Sequence, residues 1–430
     1  MKVSFYTLGC KVNQYDSQAM LEAFAAEGYD FVPVGETADI YIVNSCTVTA
    51  ESDRKTRQAV RRFKKQSPDS LVILTGCMPQ AYPESSASLP QADIIMGNRN
   101  YDDLFELIEE YFVFGQGRTL ISPHKSGDLF GDTAIKGFNQ RSRAVLKIED
   151  GCDRFCSYCI IPYARGRVRS KPLEKLKAEM SSLASAGFSE LVLVGINLSA
   201  YGSDLGASLY EAVEAACAFD AIKRVRLGSL EPQAMTARLI SKLAGLTKLC
   251  PHFHLSLQSG CNKTLKNMNR GYTTREYEEI CKSLRSSFED CTITTDVMVG
   301  FPGESEFDFQ ESLNFVRHMA FEKVHVFPYS PRPGTAAAKM KERLTKVQKE
   351  ERSQKMAAAA KDIRSAFLES QLGRTLEILV EGEDRQGYAQ GFSANYTPVK
   401  IRDGHPEAGS FCKVFIEESD ADFCYGSPVE

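Results

Sequence analysis

Three closely spaced cysteines carry the strongest chemical signal in this 430-residue sequence. Cys152, Cys156 and Cys159 form a C-x3-C-x2-C run. Three thiolates packed this closely can bind three irons of a [4Fe-4S] cluster and leave the fourth iron open to an outside ligand. A zinc site normally needs four protein ligands, and no nearby His or Cys supplies the fourth. The run therefore predicts an iron–sulfur cluster, with three unrelated core thiols as the alternative.

Three further cysteines, far apart in the sequence, each follow a short apolar run. The pairs of run and cysteine are 3–8 with Cys10, 40–43 with Cys46, and 71–75 with Cys77. If these runs are strands of a parallel sheet, their carboxyl ends share one edge, where open α/β folds bind ligands. Three thiols at that edge could converge on a second cluster, again with one iron lacking a protein ligand. Because Cys is also a common core residue, buried structural thiols are the alternative.

The elements that must position these cysteines can be predicted from hydrophobic patterning. In residues 1–114, the three apolar runs named above and a fourth at 94–96 alternate with helical patterns at 52–65 and 102–112. This alternation is typical of a parallel sheet covered by helices. A Gly- and Ser-rich stretch, 115–139, is predicted to be a linker. The predicted fold class of this N-terminal segment is therefore α/β.

Residues 140–369 contain six strand-helix units, which predict a partial (β/α)6 barrel, short of the eight units of a closed one. The predicted strands are 144–148, 191–194, 225–227, 253–257, 292–298 and 324–327, and a charged, Ala-rich helix spans 339–369. The Cys152 run begins shortly after the first of these strands, on the face where α/β barrels carry active sites. Residues 370–430 change to short alternating strands with Gly-rich turns, which predict a small β-barrel.

Several classes of protein and site are disfavoured by what the sequence lacks. No stretch approaches the roughly 20 apolar residues of a membrane span, and residues 1–6 resemble a first strand more than a signal peptide. We therefore expect a cytoplasmic protein with reduced thiols and no membrane partner.

The segment His252-Phe-His254 is predicted to direct its imidazoles to opposite faces of a strand, which argues against a metal pair there. The cysteines without ligand spacing, predicted to be structural, are Cys217, Cys250, Cys261, Cys281, Cys291, Cys412 and Cys424.

The Cys152 run resembles the signature of the radical S-adenosylmethionine (SAM) superfamily, which carries an aromatic residue, here Tyr158, before the last cysteine. The resemblance implies that SAM chelates the open iron and yields a deoxyadenosyl radical, while the protein positions the cofactor and excludes water. Segments at the carboxyl ends of later predicted strands resemble the superfamily's SAM-binding pieces, although each alone could be an ordinary turn. The residues assigned in this way to SAM binding are Tyr158, Gly195, Asn197, Ser229, Glu231, Gln258, Ser259, Val297 and Gly300.

Over essentially its whole length, the chain resembles the radical SAM methylthiotransferases, which combine both cysteine sets with a C-terminal β-barrel of the TRAM type. The resemblance implies two [4Fe-4S] clusters and two SAM molecules per turnover. Cys10, Cys46 and Cys77 would bind the cluster at which sulfur receives a methyl group, and the Cys152 set would bind the cluster that generates the radical. It also implies a sulfur donor and a flavodoxin- or ferredoxin-like electron donor as partners.

Within this family, residues 8–17 (LGCKVNQYDS) are most similar to the branch that converts N6-threonylcarbamoyladenosine at position 37 of tRNA to its 2-methylthio derivative. The isopentenyladenosine branch tends to carry Gln-Met after the first cysteine, and the branch modifying a ribosomal-protein aspartate tends to carry Pro-Lys. Residues 159–166 (CIIPYARG) agree with a tRNA enzyme. A base in an anticodon loop can be splayed into a pocket, whereas one in a stem cannot. We expect the anticodon stem-loop as partner, with the other two branches, or an iron–sulfur carrier without substrate, as alternatives.

Local charge permits an RNA partner, although the net charge of −4 does not decide the matter. Two basic stripes are predicted to bind phosphate, with a solvated helix face as the alternative. Their residues are Arg54, Lys55, Arg57, Arg61, Arg62, Lys64 and Lys65, and then Arg165, Arg167 and Arg169. Residues 372–430 have five basic and eleven acidic residues, so this barrel would repel phosphate on average. It could bind RNA through a face around Tyr396, Lys400 and Arg402, or serve mainly to shape the cleft.

Overall fold

A computed structural model describes residues 1–131, 133–137, 142–341 and 344–429. These residues form parallel α/β sheets and a closed β-barrel, so the predicted fold class is confirmed. They group into two compact units. The first unit contains Met1–Lys136, Glu149–Lys171 and Ser330–Ala338, and the second contains Gly137–Ile148, Pro172–Tyr329 and Lys339–Glu430. Parts of the predicted linker and core, residues 132, 138–141 and 342–343, lie outside the described residues, as does residue 430.

The strands, in chain order, are β1 (Lys2–Thr7), β2 (Asp30–Phe31), β3 (Ile40–Ser45), β4 (Leu71–Gly76), β5 (Ile94–Met96), β6 (Arg118–Leu120), β7 (Ala144–Lys147), β8 (Glu149–Asp150), β9 (Arg169–Ser170), β10 (Glu190–Val194), β11 (Arg224–Leu227), β12 (Ser229–Leu230), β13 (His252–Leu255), β14 (Thr292–Val299), β15 (Lys323–Pro328), β16 (Thr375–Glu383), β17 (Ala389–Ser393), β18 (Pro398–Ile401), β19 (Phe411–Ser419) and β20 (Cys424–Pro428). The helices are α1 (Lys11–Ala26), α2 (Ala50–Gln66), α3 (Cys77–Ala81), α4 (Pro83–Ala87), α5 (Leu104–Phe114), α6 (Ile161–Arg165), α7 (Leu173–Ser185), α8 (Leu209–Cys217), α9 (Ala237–Ala244), α10 (Asn262–Asn267), α11 (Thr274–Ser287), α12 (Glu306–His318) and α13 (Lys346–Glu369).

The first unit is built on a parallel sheet of order β2-β1-β3-β4-β5-β6. Every residue of β3 and β4 is buried, as expected for central strands covered by helices on both faces. One face packs against Phe24 and Leu107, and the other against Phe63, whose ring stacks on Tyr41 with centroids 4.5 Å apart. The predicted runs at 3–8, 40–43, 71–75 and 94–96 are all strands, and β6 adds a strand within the stretch that composition assigned to a linker.

Residues 149–171 belong to this first unit, although sequence patterning placed them in the barrel segment 140–369. They form the antiparallel pair β8–β9, the loop with Cys152, Cys156 and Cys159, and the short helix α6. Residues 330–338 join the same unit through specific contacts. Arg332 donates to the Thr47 hydroxyl at 2.8 Å and pairs with Asp53, and the Ala337 amide donates to the Ser157 carbonyl at 2.7 Å.

The second unit contains the six predicted barrel strands and one additional short strand, β12, in two parallel sheets of order β11-β10-β7 and β12-β13-β14-β15. Helices α7 to α12 alternate with these strands, which is the strand-helix pattern that the sequence indicated. The C-terminal strands close into a barrel of order β16-β17-β18-β20-β19. Among the described residues, no helix is both long enough and apolar enough to cross a membrane.

Within the second unit, buried arginines connect the C-terminal barrel to the parallel strands. Arg226 on β11 donates to Glu190 at 3.0 Å and to the carbonyls of Ser393 and Ala394 at 3.2 and 3.0 Å. The ring of Tyr396 stacks on His252, with centroids 4.6 Å apart. Polar groups at the turn after β17 thus hold the barrel by hydrogen bonds that are shielded from water.

The three barrel residues considered for RNA binding all have partners within the chain. Tyr396 packs on His252, Lys400 pairs with Asp384 at 2.8 Å, and Arg402 pairs with Glu418. These contacts favour the alternative in which the acidic barrel serves mainly to shape the cleft, and whether it binds RNA stays a prediction.

We predict that Arg226→Met lowers the stability of the second unit by about 3–5 kcal/mol, because Glu190 would keep a buried charge with only the more distant Arg143 and Arg224 beside it. The urea midpoint of unfolding, followed by circular dichroism, measures the effect. Arg275→Met, which removes an exposed pair with Glu279, should leave that midpoint unchanged. An unchanged midpoint for Arg226→Met would show that the buried pair does not stabilise this unit.

Candidate active site

Cys10, Cys46 and Cys77 lie at the carboxyl ends of β1, β3 and β4, which are neighbours in the first unit's sheet. The strand register pairs Thr7 with Asn44 and Ser45 with Gly76, so the three chains leave the sheet side by side. The structure therefore brings together three cysteines separated by 36 and 31 positions in the sequence, at the edge where parallel sheets place ligands.

Close packing of the strand-end loops requires glycine next to two of these cysteines. Gly9 has φ +99°, and a Cβ atom on it would lie 2.7 Å from the Cys46 Cβ. Gly76 has φ +93°, and its Cβ would lie 2.5 Å from the Asn44 Oδ1. Any side chain at these positions would be strained and would push the loops apart. Asn13 fixes their spacing, because its Nδ2 donates to the carbonyls of Leu8 and Ser45 at 2.8 and 2.9 Å.

Burial governs the acidity of these thiols. Desolvation, the lowering effect of Arg165 and the raising effect of the nearby Cys46 and Cys10 thiols together bring the pKa of Cys77 up to about 12. Desolvation also raises the pKa of Cys46, whereas Cys10 lies at the exposed side of the group. Cys77 is therefore protonated at neutral pH, and a metal bound by its thiolate would have to displace that proton.

The Cys152, Cys156 and Cys159 loop follows β8, and all three thiols are partly exposed. Two contacts fix the start of this loop. Gly151 has φ +90°, and a Cβ atom added to it would overlap the Arg167 carbonyl oxygen. The Cys152 amide donates to the Gly166 carbonyl at 3.0 Å. Desolvation raises the pKa of Cys152 to about 12, with further contributions from the thiols of Cys159 and Cys156.

The donor chemistry of both cysteine sets fits an iron–sulfur cluster better than a single ion. Each set offers three soft thiolates, the ligands that such clusters prefer. Among the described residues, neither set brings its sulfur atoms together within 4.8 Å, as the ligands of one ion would be. A cluster holds its thiolates on separate irons, and three ligands leave one iron open.

Arg165 is buried at the centre of the first unit, with 1% of its surface exposed. Its Nε donates to the Cys77 Sγ at 3.2 Å, and its Nη1 lies 2.8 Å from Asp16 and 3.2 Å from Asp150. Its Nη2 donates to the Asn13 side-chain oxygen. A residue six positions beyond Cys159 thus contacts a cysteine of the other set.

The prediction that Arg165, Arg167 and Arg169 line an RNA surface is wrong for two of the three. Arg165 is enclosed by anions, and Arg169 is buried and donates to the carbonyls of Arg165 and Arg167 at 2.8 and 3.0 Å. Only Arg167 is exposed, where it pairs with Asp153 at 3.1 Å. Sequence spacing could not separate them, because β9 and α6 fold two of the basic side chains inward.

The other basic stripe lies on α2, whose inward face carries Val60 and Phe63. Lys64 is half-buried and pairs with Asp93 at 2.9 Å, and Arg57 is also half-buried. Arg54 pairs with Glu51, and Arg62 lies over the Phe63 ring at 4.7 Å. The fully outward residues of the stripe are Arg54, Lys55, Arg61, Arg62 and Lys65. They share one face of the helix, because residues seven positions apart, such as Arg54 and Arg61 or Lys55 and Arg62, lie on the same side two turns apart.

Most residues assigned to SAM binding lie in the second unit at the carboxyl ends of parallel strands. Gly195 and Asn197 follow β10, Ser229 and Glu231 lie in and after β12, and Gln258 and Ser259 follow β13. Val297 and Gly300 lie in and after β14, whereas Tyr158 belongs to the first unit.

Gln258 is the position in this set that fits a bound polar ligand best. It has φ +67°, its backbone bonds to Asp296 and Met298 on β14 at 2.8 Å, and its buried Oε1 has no hydrogen-bond partner among the described residues. Glu231 is held by two bonds from Arg270, at 2.7 and 3.1 Å. The Val297 side chain is fully buried, so only its backbone could meet a ligand, and the open side of Gly300 is filled by Lys349.

A histidine cluster in the second unit was missed because the orientation of residues 252–254 was predicted wrongly. His254 and His252 bond to the same Thr294 hydroxyl, at 2.9 and 3.3 Å, so they share a face, as residues two apart in a strand must. His254 also lies 3.3 Å from Asp296, and His325 completes a group within 4.8 Å. Burial acts to raise the pKa of Asp296, but the neighbouring His254 and His325 outweigh it, and the pKa of Asp296 is lowered. Burial lowers the pKa of His325.

Two family profiles match this chain, one over the N-terminal sheet and one over the barrel strands together with the Cys152 loop. The profile of the Radical SAM superfamily matches residues 146–316, which include the Cys152 loop and all of the predicted SAM-binding residues. A profile described as Uncharacterized protein family UPF0004 matches residues 2–97, which include Cys10, Cys46 and Cys77.

Curated relatives match nearly the full chain. Threonylcarbamoyladenosine tRNA methylthiotransferase MtaB of Aquifex aeolicus (strain VF5) is 38% identical over 97% of this chain and 100% of that protein. The tRNA-2-methylthio-N(6)-dimethylallyladenosine synthase of Pelotomaculum thermopropionicum is 37% identical over 90% of this chain and 88% of that protein. The first relative is named as a tRNA methylthiotransferase and the second as the synthase of a 2-methylthio tRNA nucleoside, and the two names specify different adenosines.

A solved structure supports the fold at low sequence identity. The radical SAM methyltransferase TsrM from Kitasatospora setae, with cobalamin and a [4Fe-4S] cluster bound, is 13% identical and has a TM-score of 0.57 over 78% of this chain and 74% of that chain. The likeness concerns the fold alone. With full-length relatives above 30% identity and the radical SAM cysteines in place, the chain belongs to the radical SAM methylthiotransferase family.

Proposed function

We propose that this enzyme methylthiolates N6-threonylcarbamoyladenosine at position 37 of tRNA, giving 2-methylthio-N6-threonylcarbamoyladenosine. The observation that carries the proposal is the presence, in one compact unit, of two sets of three free cysteines. The choice of adenosine is supported by residues 8–17 and by relatives of 34–38% identity that are named for this substrate.

In this proposal each cysteine set holds one [4Fe-4S] cluster. Cys152, Cys156 and Cys159 would bind the cluster that chelates SAM, and Cys10, Cys46 and Cys77 would bind the second. When bound, these groups and SAM supply a radical that activates an adenine C–H carbon and the methylated sulfur that the carbon receives. The chain's own contribution is positional: Gly9, Gly76 and Asn13 hold the strand-end loops close, and the Cys77 side chain is buried away from water.

The wider setting of the reaction belongs to the same proposal. A reaction on tRNA places the enzyme in the cytoplasm. It needs an electron donor of the flavodoxin or ferredoxin type and a source of sulfur, because reductive SAM cleavage consumes an electron and each product carries a new sulfur atom. The anticodon stem-loop would meet the outward basic face of α2, where Lys55, Arg61 and Lys65 are exposed.

A second candidate substrate is N6-isopentenyladenosine in tRNA. It is favoured by relatives of 32–37% identity that are named as dimethylallyladenosine synthases. Methylthiolation of a ribosomal-protein aspartate is a further alternative, which predicts modified protein and unmodified RNA. The three candidate functions share the same cysteine chemistry, so only the identity of the product distinguishes them.

Mass analysis of tRNA nucleosides tests the substrate. Cells lacking this protein should accumulate N6-threonylcarbamoyladenosine without its 2-methylthio derivative, and the wild-type chain should restore that derivative. The variants Cys46→Ala and Cys156→Ala should not restore the 2-methylthio derivative. The matched control, Cys412→Ala in the C-terminal barrel, should restore it. Loss of the methylthiolated isopentenyladenosine instead would assign the other branch.

Iron content tests the two-cluster arrangement. Anaerobically reconstituted protein should contain about eight irons per chain, and the variant with Cys10, Cys46 and Cys77 replaced by Ala should contain about four. Cys46→Ala should still cleave SAM under reducing conditions, whereas Cys156→Ala should not, because its cluster site is destroyed. About four irons in the wild-type protein, unaffected by the triple replacement, would be incompatible with a second cluster.

The basic face of α2 predicts a salt-dependent contribution to tRNA binding. Replacing Lys55, Arg61 and Lys65 with Ala should weaken binding and lower the magnitude of the salt slope by about 1 for each phosphate that is no longer neutralised. Removal of three exposed charges elsewhere, by replacing Arg275, Lys282 and Arg317 on α11 and α12 with Ala, should have little effect. Equal effects of the two triple variants in a filter-binding salt series would show that α2 is not the RNA surface.

A further inference from the structure

Arg165 occupies a position that the proposed chemistry does not by itself explain. Its guanidinium is almost completely buried, yet its sequence neighbours Arg167 and Tyr163 are exposed. The helix that carries it, α6, begins two residues after Cys159 and ends at Arg165 itself. A segment as short as this has little freedom, so the position of Arg165 is tied to the position of the Cys152 loop.

The other end of the contact is the second cysteine set. The Nε of Arg165 donates to the Cys77 Sγ at 3.2 Å, within the range of a hydrogen bond to sulfur. Cys77 begins α3, directly after the buried strand β4, so its sulfur is also fixed in place. Arg165 therefore joins two rigid segments, one from each cysteine set, through a single planar group.

Three further groups fix the orientation of this guanidinium. Asp16 and Asp150 accept from the same Nη1 at 2.8 and 3.2 Å, and the Asn13 side-chain oxygen accepts from Nη2. Asn13 and Asp16 lie on α1, the helix that starts immediately after Cys10. Because a guanidinium donates in a fixed plane, these bonds leave its Nε–H directed at the sulfur. A lysine ammonium has three N–H donors on a single nitrogen, so it could not satisfy the same four partners.

We propose that Arg165 is a positioning residue of the Cys10, Cys46 and Cys77 site, which donates a hydrogen bond to the Cys77 sulfur and thereby sets the reduction potential of the cluster bound there. The inference rests on the proposed second cluster. An N–H donor and a positive charge beside a cluster thiolate stabilise the more negative, reduced state, so the potential rises. The donor is supplied by the radical SAM segment, so the electronic properties of one cluster depend on the loop that holds the other.

The experiment uses the full chain with Cys152, Cys156 and Cys159 replaced by Ala, so that only the second cluster is observed. After anaerobic reconstitution, a redox titration followed by EPR gives its midpoint potential. Arg165→Lys should move the potential to more negative values, and Arg165→Gln should do so as well. The control is Arg99→Lys, because Arg99 lies in the same unit but bonds to Asp128 and the Pro123 carbonyl, and it should not change the potential.

Pulsed EPR supplies a readout that a purely structural role would not move. Protein labelled with guanidino-15N arginine should show a 15N coupling to the reduced cluster, which disappears in Arg165→Lys and persists in Arg99→Lys. If Arg165→Lys fails to fold, Arg165→Gln provides the same comparison.

The possible failures are distinguishable. Absence of any cluster in the triple-cysteine background would overturn the second cluster and this inference together. A cluster that forms normally, with the same potential and the same 15N coupling after replacement of Arg165, would overturn this inference and leave the proposed function standing.

Discussion

A buried guanidinium requires anions around it, and in this protein that requirement organises the first unit. Isolating one charge from water costs several kcal/mol unless partners replace the missing hydration. Arg165 obtains those partners from three places in the chain: Asp16 on α1, Asp150 on β8 and the thiol of Cys77 on α3. Each partner is a predicted cluster ligand or lies within six residues of one. The ion pairs and hydrogen bonds of this one buried side chain therefore link the two cysteine sets within one compact unit.

The sheet edge supplies the other half of the arrangement. Parallel strands end on a common side, and β1, β3 and β4 are adjacent, so three distant cysteines need no spacing motif to meet. Gly9 and Gly76 then allow the loops to approach more closely than side chains would permit. The sheet determines where the thiols lie, and Arg165 determines what surrounds one of them. The geometry explains why a cysteine set spread over 68 residues can behave as one binding site.

Features that depend on local periodicity were predictable from the sequence. The six barrel strands, α2 and the C-terminal barrel follow from apolar alternation and turn residues, and the structure has all of them. Features that depend on tertiary burial were not. Arg165 and Arg169 look identical to Arg167 in the sequence, and only the fold of α6 and β9 separates two buried side chains from one exposed one. The grouping of residues 149–171 with the N-terminal sheet was hidden for the same reason. For the histidine pair, by contrast, the two-residue period of a strand already places both rings on one face, and the prediction of opposite faces contradicted that period.

The discontinuity of the first unit has a consequence for the order in which the protein is made. Its last segment, Ser330–Ala338, is synthesised after most of the second unit. Until then, Asp53 lacks the Arg332 guanidinium, and the Ser157 carbonyl in the Cys152 loop lacks the Ala337 amide. A nascent chain on the ribosome therefore carries all six thiols from residue 159 onward, and the unit that must shield them is finished only when residue 338 has emerged. The first unit is therefore completed late in the synthesis of the chain.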